Sequence, residues 1–75
     1  MVEALRALEQ NDWETAHRMV QNLEGEAAAW LHGIVHMIEG DESNARYWYR
    51  RAGRPYPGKG RIAEEIQAAR SRLAA

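Results

Sequence analysis

The chain contains no cysteine. A disulfide framework and a thiolate metal site are both excluded, and the sequence suits a reducing compartment. It also lacks a long apolar run. The longest, Ala27–Leu31, falls far short of the ~20 residues that span a bilayer. No basic-then-apolar signal segment opens it, so the expectation is a soluble, cytoplasmic protein without a membrane partner. Apart from tyrosine, hydroxyl side chains are limited to Thr15, Ser43 and Ser71, each at an expected helix start or end. No Ser–His–Asp or Cys–His set is suggested. The carboxylates fall at helix ends and on outer faces rather than in enclosed acid–base pairs. The sequence therefore points away from an enzyme.

Acid is missing from one long stretch. Residues 44–61 hold six bases and no acid, whereas residues 1–43 hold nine acids and two bases, a net of −7. The tail cancels itself, and the whole chain carries −1. Such asymmetry suits a polar partner, self-association of opposite patches, or closure within the fold. Seventy-five residues make one domain. A chain of that size has a thin margin of stability, on the order of 5 kcal/mol.

What is present is helical periodicity. Ala27, Trp30, Leu31, Ile34, Val35 and Ile38 recur at one-turn spacing, and Ala28, Ala29 and Met37 widen the stripe. The helix they define, Glu26–Glu39, is apolar over most of its circumference, with only His32, His36 and Glu39 polar. A helix of that kind must be surrounded, so it is expected at the centre of the domain. Gly40-Asp41 turns the chain into a two-faced helix over Asp41–Ala52. Ala45, Trp48, Tyr49 and Ala52 lie on one side of it, and Arg46, Tyr47, Arg50, Arg51 and Arg54 on the other.

Two shorter helices precede this pair. Val2, Leu5 and Leu8 make the stripe of the first, over Val2–Glu9. Asn11 with Glu14 has capping-box spacing for the second, whose buried side is Trp13, Ala16, Val20 and Leu23, flanked by His17; Gly25 ends it. After the central pair, Gly53–Gly60 holds two prolines and three glycines in eight residues and is a loop. Its Gly58-Lys59 imitates a phosphate loop. The following Gly60 offers no hydroxyl for magnesium, however, and Pro55 and Pro57 lack the N–H groups that would cradle phosphate. A fifth helix, Arg61–Leu73, buries Ile62, Ile66, Ala69 and Leu73, with Ala63 beside them.

The chain repeats weakly at an offset of 29: Asn11-Asp12 matches Gly40-Asp41, Ala16 matches Ala45, Val20 matches Tyr49, and Leu23 matches Ala52. Together with Gly33, His36 and Pro57, this pattern resembles the tetratricopeptide repeat, with His36 where that family usually has an aromatic. The resemblance covers about 55 residues. It implies stacked helical hairpins, a right-handed superhelix and a concave face that binds peptide or protein. The run His36–Arg54, with its Glu-Gly-Asp and Asn-Ala-x-Tyr-Trp-Tyr-Arg-Arg-Ala-Gly segments, is also similar to a group of small bacterial proteins without an assigned function.

Three sets of residues are candidates. His32 and His36 lie one helical turn apart, with His17 on the neighbouring helix. An i, i+4 histidine pair can hold zinc when a third ligand arrives. The alternative is a hydrogen-bonded helix seam, and this is the reading taken, with no metal or cofactor expected. The cluster Arg46, Tyr47, Arg50, Arg51 and Arg54 could be a solvated face, an acidic-peptide site built on bidentate pairs, or a phosphate-and-stacking surface for nucleic acid. A pI near 6.3 argues against a dedicated nucleic-acid binder. Trp30, Ile34 and Met37, with Ile38, would line the concave side in the repeat register. They would be covered there by the fifth helix, a second copy or a partner. The expectation is an all-α domain of two antiparallel helical hairpins closed by a C-terminal helix. Its expected role is to bind a protein or acidic peptide; the rival is a structural unit that pairs with itself, including as a homodimer.

Overall fold

Each hairpin turns through one left-handed residue followed by an aspartate. In the computed structural model, which describes residues 2–73, α1 (Val2–Glu9) ends at Asn11 with φ 64°, and α3 (Glu26–Glu39) ends at Gly40 with φ 87°. The next amide reaches back over the helix end in both cases. Asp12 N–H donates to the Ala7 carbonyl at 2.8 Å, and Asp41 N–H to the His36 carbonyl at 2.9 Å, which satisfies carbonyls the helix end leaves open. Each aspartate then caps the following helix. The Asp12 carboxylate accepts from Thr15 N–H to begin α2 (Trp13–Gln21), and the Asp41 carboxylate accepts from Asn44 N–H to begin α4 (Glu42–Arg51), both at 3.3 Å. The cap of α2 is thus Asp12 rather than Asn11. Asparagine, which tolerates the left-handed region better than most residues, is used for the turn itself.

The offset of 29 seen in the sequence is therefore carried by turn chemistry as well as by packing. The second connection departs from expectation. α2 stops at Gln21, where the Asn22 side chain donates to the Arg18 carbonyl at 3.2 Å. Leu23, beyond the helix end, is exposed rather than buried. Gly25 is the residue that starts α3, not the one that ends α2.

The protein is all-α, with five helices and no strand among the described residues. α3 is the central element. It packs on α4, α2, α5 and α1, and its residues from Ala28 to Met37 are all buried. α4 approaches α3 closely because Gly33 has no side chain. A Cβ there would lie 2.5 Å and 2.7 Å from two ring carbons of the fully buried Tyr49, inside the contact distance of carbon atoms. A short 3-10 turn (Lys59–Arg61) leads into α5 (Ile62–Leu73), which lies against α3 and α1, the first helices of the two hairpins. Ala69 of α5 is fully buried, Ile62, Ile66 and Leu73 are half-buried, and Ala63, expected beside them, is exposed.

α5 docks through polar contacts as well as apolar ones. One oxygen of Glu65 accepts from Trp30 Nε1–H at 3.0 Å and from the Tyr49 hydroxyl at 2.7 Å. Arg70 near the end of α5 donates to Glu9 of α1, its Nε to Oε2 at 2.8 Å. No helix is long and apolar enough to cross a membrane among the described residues.

Candidate functional site

The arginine candidates lie on α4, and its contact with α3 fixes which way they face. Tyr49 and Ala45 hold the inner face, so successive turns of α4 present Arg46, Tyr47, Arg50 and Arg51 outward, all exposed. Arg46 reaches back to Glu42, its Nε donating at 2.8 Å, and its guanidinium lies 4.5 Å from the centre of the Tyr56 ring. Arg51 donates to the Tyr47 hydroxyl at 3.1 Å and sits near the rings of Tyr47 and Trp48. Arg54, just past the helix, lies 3.6 Å over the centre of the Trp30 ring. An aromatic ring supports the planar face of a guanidinium and leaves its edge as the donor side; at Arg46 and Arg51 part of that edge is used within α4. Arg46, Arg50, Arg54, Tyr49 and Tyr56 line a shallow recess of about 250 Å³.

Ion pairs close little of the charge asymmetry among the described residues. Among the described residues, carboxylate partners within reach join Arg46 to Glu42, Arg61 to Glu64, Arg70 to Glu9 and His36 to Glu39. Only the Arg70 pair links distant elements, and it does not involve the α4 face. Arg50 and Arg51 have no carboxylate partner among the described residues.

Three of the expected partner-binding residues lie elsewhere. Trp30, Ile34 and Met37 are at most 3% exposed and belong to the core. They form no open concave face, because α5 covers that side and engages the Trp30 indole through Glu65. Ile38 is half-buried against the same cluster. Burial of Tyr49, reinforced by the adjacent Glu65 carboxylate, pushes the Tyr49 hydroxyl well above the usual tyrosine range.

The second cluster sits at the seam between α2 and α3. His17 projects from α2 onto His32 and His36, which stack on each other at 5.0 Å between ring centres. His17 Nε2 and His32 Nε2 are 3.2 Å apart. One ring nitrogen of each histidine lies within 4.8 Å of the other two. His32 and His36 are both 7% exposed, whereas His17 is half-buried. Trp48 of α4 stacks on His32 at 3.8 Å with the planes 9° apart, and His36 Nδ1–H donates to Glu39 at 3.0 Å. Burial, then the neighbouring His36 and His17, pulls His32 down to about 4, so it is a neutral imidazole at ordinary pH.

The sequence placed the arginines on one face and the histidines at one seam. It did not single out Tyr56, Glu65 or the stacking of Trp48 on His32. Glu65 carried a signal: it lies three residues after Ile62 and four before Ala69, inside the buried stripe of its helix. Tyr56, between two prolines, had no periodicity to reveal it. Compared with known proteins, the chain matches no family model, no curated sequence and no solved structure.

Proposed function

We propose that the chain is a small protein-interaction module, related in architecture to tetratricopeptide hairpins, that binds an acidic segment of a protein partner on the outer face of α4. The observation that carries this reading is the pair Arg50 and Arg51, exposed beside Tyr47 and without carboxylate partners among the described residues. Arg46, Arg54 and Tyr56 border the same surface. Guanidiniums pair with carboxylates in a two-pronged geometry, and an exposed aromatic adds contact area at little entropic cost. Trp30, Ile34 and Met37 are left out of this reading, because they are buried. The setting we envisage is the cytoplasm, and no catalytic step is involved.

A second reading is favoured by one observation. The first 43 residues carry −7, and only Glu42, at the start of α4 itself, pairs with the α4 face among the described residues, so the acidic half of one copy would complement the α4 face of another. The test is anisotropy of a labelled glutamate-rich peptide titrated with the protein, with Arg50→Glu/Arg51→Glu as the variant. The expected result is binding that weakens with salt and falls at least about tenfold in the variant. Unchanged affinity in the variant would remove the α4 face from the reading. Tighter binding to a single-stranded oligonucleotide, with a steeper loss in salt, would replace the acidic peptide by nucleic acid.

A further inference from the structure

We propose that His17, His32 and His36 form a binding site for a divalent transition metal of the zinc class, bridging α2 to α3. The residues come from two hairpins, so the ion would link them directly. The 3.2 Å between His17 Nε2 and His32 Nε2 is close to the separation of about 3.3 Å that two imidazole nitrogens adopt on one tetrahedral zinc. The third histidine needs only a small closure, since one ring nitrogen of each already lies within 4.8 Å of the others. His17, the half-buried member, is the one with room to move.

The surroundings are those of a ligand set. The Glu39 carboxylate holds His36 Nδ1–H, which fixes that ring as the tautomer with its lone pair on Nε2. A carboxylate behind a ligating imidazole commonly serves this purpose. Trp48 stacked on His32 restrains the second ring. In the metal-free protein, the two close Nε2 atoms of His17 and His32 share one proton in an N–H···N bond. On binding, the donor ring moves that proton to its Nδ1 and stays neutral, so the site takes a cation without expelling net charge. Three imidazoles leave the fourth position to water, and nitrogen ligands favour zinc, cobalt, nickel and copper over magnesium or calcium.

A competing group, His36 with Glu39 and Asp41, is less suited. Asp41 is committed to the start of α4, accepting from Asn44 N–H at 3.3 Å and from the Asn44 side chain at 2.7 Å, and Glu39 is committed to His36.

The experiment is calorimetric titration of zinc chloride into chelator-stripped protein, repeated with cobalt and read by its visible absorption. His17→Ala and Glu39→Gln are the variants, each checked for helicity by circular dichroism. His17 is only half-buried and Glu39 exposed, so both variants should keep the fold. The expected outcome is one equivalent of zinc, tetrahedral cobalt bands and a raised melting temperature with metal. His17→Ala should lose those bands and weaken zinc at least tenfold, and Glu39→Gln should weaken it by about 10–100-fold. No heat and no cobalt bands with the wild-type chain would overturn the proposal. So would zinc binding that His17→Ala leaves unchanged, since the ion would then sit on exposed groups.

Discussion

Gly33 shows how much of this molecule turns on a missing side chain. Tyr49 lies directly over it, and a methyl group would have to displace a ring that is fully buried and hydrogen-bonded to Glu65. In an exposed helix, glycine to alanine stabilises by about 1 kcal/mol. Here the added methyl also incurs the 1–3 kcal/mol typical of overpacking. Gly33→Ala should therefore lower stability by about 1 kcal/mol, the middle of the net of these two effects, read as a lower urea midpoint at unchanged slope. A variant as stable as the parent would show that the Tyr49 ring yields freely.

Among the elements, α5 is the one whose docking the apolar pattern explains least. Its buried stripe is thin: Ala69 is fully enclosed, while Ile62, Ile66 and Leu73 are half-covered. The Glu65 carboxylate supplies what the stripe lacks by satisfying the Trp30 indole and the Tyr49 hydroxyl together. Removing it leaves two buried donors without a partner. A cost of 1–3 kcal/mol for each group left unsatisfied, reduced by water entering beside a half-buried side chain, gives about 2 kcal/mol for Glu65→Ala. Glu64→Ala is the matched control: it loses only an exposed ion pair with Arg61 and should change stability by less than about 0.5 kcal/mol. Denaturation of the two variants side by side decides the matter; equal midpoints would mean that the Glu65 bonds to Trp30 and Tyr49 add nothing to the docking of α5.

At the scale of the whole molecule, the large apolar groups that remain exposed among the described residues are Val2, Leu23 and Tyr47, from three different segments of the chain. With Trp30 and its neighbours enclosed by α5, no apolar face among the described residues calls for a second copy. Sedimentation equilibrium at moderate salt should therefore report a monomer over a wide concentration range. A dimer that dissociates at high salt would instead support pairing of the acidic half with the α4 face; a dimer indifferent to salt would contradict the burial pattern.

The sequence by itself determined the helices and their faces. The ranges of α1 and α3, the Gly40-Asp41 turn and the outward set of arginines follow from spacing and turn chemistry, which are local. Gly33 was visible in the sequence as part of the repeat pattern, but that Tyr49 lies over it is a matter of how α4 packs on α3. Only the tertiary structure decided where α5 lies, and with it whether Trp30, Ile34 and Met37 bind a partner or fill the core. Periodicity marks a face as apolar but does not say what covers it. The histidines divide in the same way. Their one-turn spacing is in the sequence, but the 3.2 Å approach of His17 to His32 depends on how α2 packs against α3, a contact between elements that no single helix encodes.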